Sequence, residues 1–155
     1  MSTSLFDLTG KIALVTGATH GLGMAMARGI GRAGAKVIIN GNSSQQKIDN
    51  AVSEFIQEGI DAYGYRFDVT DEKSVINAIA KIESEVGPID ILVNNAGIIK
   101  RTPLAEMAVE DFEQVINVDL ISPFIVSKSV IKGMIERKSG KIINICSMMS
   151  ELSLI

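Results

Sequence analysis

Residues 11–40 read KIALVTGATHGLGMAMARGIGRAGAKVIIN, and this stretch decides the fold. KIALVT (11–16) is short, unbroken and β-branched at Ile12, Val15 and Thr16, as a strand buried on both faces would be. A glycine-punctuated turn follows, then a helix-length segment to Ala33. Gly34 closes that helix, and AKVIIN (35–40) supplies a second strand. Strand, glycine turn, helix, strand is the opening of a parallel α/β layer.

The same alternation continues outward. Residues 43–57 read as a helix ending at Gly59, and DAYGYRFDV (61–69) alternates, with Tyr63, Tyr65 and Phe67 on one side. Thr70 or Asp71 caps the next helix, in which Val75, Ile79, Ile82 and Val86 form one stripe; Gly87 and Pro88 end it. IDILVNNAG (89–97) gives a fourth strand. A single long helix over 109–136 then leads to a fifth, GKIINICS (140–147). Strands separated by crossovers of helical length predict a parallel sheet with helices on both faces, in a single domain over 1–155.

Composition excludes several classes. A net charge of −3 over 155 residues, without aromatics interleaved among Lys and Arg, offers no field for nucleic acid. No apolar run approaches the roughly 18 residues that span a bilayer, so no membrane partner is expected. The start, MSTSLFDLTGK, lacks the pattern of a secretory signal, and one cysteine makes no internal disulfide; a cytoplasmic protein is the simplest expectation. His20 is the only histidine, so no metal cluster is expected, and a solvated turn histidine is its plain reading. Cys146 reads as a small strand hydrophobe, and most of the seven methionines as packing, although Met148 and Met149 are placed to line a pocket. Lys128, Lys132, Arg137 and Lys138 read as a solvated, dipole-favoured face of the long helix.

The chemistry is expected at TGATHGLG (16–23). Gly17, Gly21 and Gly23 lie between a strand and a helix, where missing side chains permit a tight turn and let backbone amides approach a pyrophosphate at the helix start. The plain alternative is a merely structural turn.

Together with DVT (68–70), NNAG (94–97) and a strand ending at Ser147, this motif resembles the short-chain dehydrogenase/reductase family over essentially the whole chain. INICSMMSE (143–151) is similar to the gluconate 5-dehydrogenase-like branch. The resemblance implies a Rossmann-type doubly wound sheet, here truncated after the fifth strand, and an NAD(P)-dependent oxidoreductase interconverting a keto group and a secondary alcohol on a sugar acid such as gluconate or 5-ketogluconate. It implies that Gly17, Thr19, His20, Gly21, Leu22 and Gly23 surround the coenzyme pyrophosphate, that Asn42 and Ser43 stand by the adenosine ribose, and that Asp68 and Val69 contact the adenine. Asn94, Ala96 and Gly97 would support the fourth strand and border the ribose, with Asn95 beside them at the coenzyme; Ser147 would orient the substrate oxygen. Asp119 stands where the family often has a catalytic Asn, and it offers no amide donor; Asn117 is expected to face elsewhere.

NADP(H) is favoured and NAD(H) remains open, because Gly41 takes the place of the usual ribose-binding acid at the end of the second strand. The family's Tyr-x-x-x-Lys motif does not occur: Tyr63 and Tyr65 belong to the third strand, and by family spacing the motif would fall just past Ile155. A nucleotide-binding remnant without catalytic activity is therefore the alternative reading. The resemblance also implies a homodimer or homotetramer, with Val115, Ile116, Ile121, Phe124, Ile125, Ile131 and Ile135 on the long helix as its surface. A chain of this length is expected to be marginally stable, with an aggregation-prone edge at 140–147 that more polypeptide or a partner subunit completes.

Overall fold

A computed structural model describes residues 5–147. Five strands, β1 (Ile12–Val15), β2 (Lys36–Gly41), β3 (Ala62–Arg66), β4 (Ile91–Asn94) and β5 (Lys141–Asn144), form one sheet in the order β3-β2-β1-β4-β5. Every pairing is parallel. The crossovers are helical: α1 (Gly21–Arg32), α2 (Gln45–Gln57), α3 (Glu72–Glu85), α4 (Val109–Ile116) and α5 (Ser122–Glu136). The doubly wound sheet read from the sequence is the observed one.

The two faces of the sheet follow from strand alternation. Ile12, Leu14, Ile38 and Leu92 point to one side, where they pack with Val75, Ile79 and Ile82 of α3 and Val126, Val130 and Met134 of α5. Ala13, Val15, Val37, Ile39, Ile91 and Val93 point to the other, against Ala27 of α1 and Ala51 and Phe55 of α2. Central strands buried on both sides need continuous apolar runs, which is why these segments lack the polar alternation of a half-exposed strand. The α1 stripe is Gly23, Ala27 and Gly31, all small, so this helix lies close against the sheet.

Three differences from the sequence reading matter for the site. The strands are shorter than their apolar runs: Asp68 and Val69, Asn95–Gly97, and Ile145–Ser147 all lie in loops just beyond the carboxyl ends of β3, β4 and β5. The helix expected over 109–136 is not continuous. A π-helical turn, Asn117–Ile121, separates α4 from α5. Pro123 supplies the reason, since it has no N–H to close on the Asp119 carbonyl and its ring crowds that carbonyl in a regular α-helix; the wider π-turn relieves both conflicts. Cys146, thirdly, is not a strand hydrophobe but lies exposed past β5.

Asp71 is the cap of α3, its side chain accepting from the Lys73 amide at 2.9 Å. Of the cations at the end of the long helical segment, Lys128 pairs with Glu72 and Arg137 donates to the Ile89 carbonyl at 2.9 Å, so these two are tied to neighbouring elements rather than merely solvated. Among the described residues β5 is the last strand of the sheet, and its Ile143 and the following Ile145 are exposed. No helix of the described residues is long and apolar enough to cross a membrane.

Candidate functional site

The strand order reverses at β1, whose chain continues into α1 while its neighbours β2 and β4 feed helices on opposite faces. In such sheets the loops at the carboxyl ends part at this point and leave a crevice. A cavity of about 570 Å³ occupies it here, lined by the turn after β1 (Gly17, His20, Gly21, Leu22, Gly23), by Asn42, by Asp68–Thr70, and by Asn95–Ile98; Gln114, Asn117 and Val118 close its far wall.

The wall formed by the first turn is built for an anion. Gly17 has φ +63°, and a Cβ there would lie 2.9 Å from the Ala96 Cα, so glycine is required both for the conformation and for the approach of the β4 loop. Gly23 is required for packing: a Cβ on it would lie 2.6 Å from the Gly17 carbonyl and run into the Asn95 amide. The α1 N-cap, His20, makes no side-chain cap, and no acidic residue stands in the first turn. The first amides of α1 thus reach the cavity with their hydrogen-bonding capacity and the positive end of the helix dipole intact.

Buried side chains that the sequence reading did not single out hold this wall in place. Thr16, 2% exposed, accepts on its hydroxyl from the amides of Asn95 and Ala96, both at 3.0 Å. Asn95 returns the contact, its Nδ2 donating to the carbonyls of Thr16 at 2.9 Å and Gly17 at 3.2 Å. Asn40, also 2% exposed, accepts from the Gly17 amide at 3.3 Å and donates to the Phe67 carbonyl at 3.0 Å, which fastens the glycine turn to the end of β3. The available signal was a polar residue ending each apolar strand, since a buried Thr or Asn there must find partners in the loops.

Asp68 closes the opposite wall. Its carboxylate accepts from Thr70 N at 2.9 Å, Thr70 Oγ1 at 2.7 Å and Asn42 Nδ2 at 2.9 Å. The Thr70 hydroxyl, and then the Thr70 amide and Asn42, hold the carboxyl below the ordinary Asp range, against a desolvation that raises it.

Of the residues expected at the site, Gly17, His20, Gly21, Leu22, Gly23, Asn42, Asp68, Val69, Asn95, Ala96 and Gly97 line the cavity. Thr19 stands behind it, bonded to the His20 ring at 3.2 Å, and Ser43 is not part of the lining. Asn94, 5% exposed, ties β4 to its neighbours, its Nδ2 donating to Asn144 Oδ1 of β5 at 2.8 Å and Ser127 Oγ of α5 at 3.0 Å; it is not part of the cavity lining, so the expectation that it borders the ribose is corrected while its support of the strand stands. Asp119 is likewise outside the lining. Its Oδ1 accepts from the Ile98 amide at 2.9 Å, so it supports the β4 loop and the cavity receives Asn117 instead. Ser147 lies exposed after β5. Met148 and Met149 lie outside the described residues. Neither tyrosine lines the cavity, and Tyr65 donates to Glu85 at 2.7 Å. Among the described residues no group of His, Cys, Asp or Glu could hold a metal ion.

The model of the short chain dehydrogenase family matches residues 11–155. The chain belongs to that family. The 2-dehydro-3-deoxy-D-gluconate 5-dehydrogenase of Formosa agariphila is 68% identical over 152 residues, which are 98% of this chain and 58% of that protein. The gluconate 5-dehydrogenase of Gluconobacter oxydans is 46% identical over 96% of this chain and 58% of its own length. Among solved structures, a gluconate 5-dehydrogenase from Burkholderia cenocepacia in complex with NADP and tartrate superposes with a TM-score of 0.91 at 43% identity, covering 96% of this chain and 58% of that one. The chain therefore spans somewhat over half the length of these short-chain dehydrogenases and falls within the gluconate 5-dehydrogenase-like branch.

Proposed function

We propose that the protein is an NAD(P)-dependent oxidoreductase that interconverts a keto group and a secondary alcohol on a sugar acid of the gluconate or 3-deoxygluconate type. The observation that carries this is the anion-ready wall of Gly17, Gly21 and Gly23, facing a cavity of about 570 Å³ at the reversal of strand order. The names of the relatives supply the substrate class and the NADP-bound neighbour favours NADP(H).

A nicotinamide coenzyme fits the residues present and would exchange a hydride with the substrate carbon. The α1 amides and Gly17 would hold its diphosphate, Asn42 and the Asp68–Val69 loop would border its adenosine, and Asn95–Gly97 would border the ribose toward Asn117, all of them lining the cavity or its first turn. Asp119 acts on this arrangement as a positioning residue, through Ile98. Ser147 is the group for the substrate oxygen. Of the residues expected to form an oligomer surface, Ile121, Phe124, Ile131 and Ile135 are exposed and support a homodimer or homotetramer, whereas Ile125 packs against the core.

Incubation of the full protein with NADPH and 5-keto-D-gluconate should consume the coenzyme's ultraviolet absorbance, and 2-dehydro-3-deoxy-D-gluconate with oxidised coenzyme should generate it. A second reading is favoured by one feature: among the described residues, no Tyr or Lys lines the cavity. Coenzyme binding without turnover of either sugar acid would establish that reading, a nucleotide-binding protein, in place of the enzyme.

A further inference from the structure

A second cavity, also of about 570 Å³, lies behind the loop that carries Asp68 and shares no lining residue with the coenzyme cavity. β3 ends the sheet among the described residues, and this cavity runs along its open edge. Side chains alternate across that edge. Tyr65 bonds Glu85 of α3, so Tyr63 and Tyr65 face α3; a Cβ on Gly64 would meet Ile48 and Val52 of α2, so Gly64 and Arg66 face α2. The α3 wall is Ser74, Asn77, Lys81 and Glu85, which recur at three- and four-residue spacing and so form one stripe of the helix.

The free hydrogen-bonding groups of this cavity are mostly donors. Arg66 is held by its Nε, which donates to the Asn42 carbonyl at 3.0 Å, and its two terminal nitrogens have no partner among the described residues. Ser74 Oγ accepts from the Asp68 amide at 3.3 Å, which leaves its own proton to donate. The side-chain amide of Asn77 and the hydroxyl of Tyr63 have no partner among the described residues. Glu85 is the one carboxylate of the lining; it stands three turns of α3 beyond Ser74 and already accepts from the Tyr65 hydroxyl at 2.7 Å. Lys81, 3.9 Å from that carboxylate, is the second cation.

We propose that this cavity binds a sugar phosphate. A carboxylate would be satisfied by the arginine fork alone, whereas the three oxygens of a phosphate monoester use the fork, Lys81 and the donors of Ser74 and Asn77 together. The bonds to Asn42 and Asp68 fix Arg66 and Ser74 in advance, so less freedom is lost on binding. The hydroxylated body then lies on the half-buried rings of Tyr63 and Tyr65, with the Tyr63 hydroxyl as its polar contact. The proposal goes beyond the coenzyme reading and does not require it.

The test is calorimetric titration of the full protein, saturated with NADPH to occupy the glycine turn, with glucose 6-phosphate, inorganic phosphate and glucose. Glucose 6-phosphate should bind, inorganic phosphate about ten-fold or more weakly, and glucose not at all. Arg66→Gln and Lys81→Gln should each weaken glucose 6-phosphate about ten-fold or more, the range of a hydrogen bond to a charged group. Tyr63→Phe should narrow the gap between the sugar phosphate and inorganic phosphate. Wild-type protein that takes up no glucose 6-phosphate overturns the proposal without any variant. Uptake that survives Arg66→Gln and Lys81→Gln unchanged places the ligand elsewhere and overturns it too, as does equal affinity for inorganic phosphate. Failure of NADPH itself to bind refutes the coenzyme reading separately, since the same two variants locate the sugar phosphate in its absence.

Discussion

The Asp119 carboxylate accepts the backbone amide of Ile98 at 2.9 Å, so the π-helical turn between α4 and α5 holds the loop that leaves β4. The bond needs an acceptor and no charge. Asp119→Asn should therefore keep coenzyme affinity, with the amide oxygen in the place of Oδ1. Asp119→Ala should leave the Ile98 amide to water and weaken coenzyme binding by about 1 kcal/mol, the typical worth of one such bond. Titration of both variants with NADPH checks this. Equal losses in the two would mean that the charge itself matters.

Thr16→Val should be among the most damaging conservative changes. It preserves shape but removes the acceptor of two amides, Asn95 and Ala96, at a position 2% exposed. Loss of about 2–4 kcal/mol is expected in urea unfolding, from two donors left without partners. Thr16→Ser restores the hydroxyl and should recover most of it.

Two glycines of α1 give opposite expectations. A Cβ at Gly23 collides with the Gly17 carbonyl and with Asn95, so Gly23→Ala should cost about 1–3 kcal/mol by overpacking and displace the turn that lines the cavity. A Cβ at Gly29 meets nothing within 4 Å, and Gly29→Ala should be neutral or stabilise by up to about 1 kcal/mol through helix propensity. Thermal melts of the pair, with and without NADPH, separate general packing from damage to the site.

Asp68 predicts an acid response. Bonds from Thr70 and Asn42 depress its folded-state pKa below the unfolded one. Its contribution to stability is therefore present above the unfolded Asp pKa and is lost as pH falls through the folded one. Asp68→Asn should lower stability at neutral pH and flatten the fall in stability on the acid side of the ordinary Asp range. Urea midpoints across that range check it; a parallel offset at every pH would show that the carboxylate is not the source.

The fold was legible because its strands are local features. Residues 11–16, 35–40 and 89–94 are apolar on both faces, and that pattern admits few architectures. The glycine turn was legible for the same reason: Gly17, Gly21 and Gly23 lie within seven consecutive residues, between a strand and a helix. What escaped depends on tertiary phase. Asn94 and Asn95 are neighbours, but one ends a strand and turns its side chain to α5 and β5 while the other starts a loop, so only Asn95 reaches the cavity. Asp119 came from the resemblance, and Asn117 was expected to face elsewhere from the phase of a regular helix, which the π-turn ahead of Pro123 changes.

Calorimetric titration of the folded protein with NADPH tests the central claim most directly, since it asks whether the amides freed by Gly17, Gly21 and Gly23 hold a dinucleotide diphosphate. Saturable uptake of one coenzyme per chain, weakened in Gly23→Ala, is the predicted result. Folded protein that takes up neither NADPH nor NADH would contradict the account.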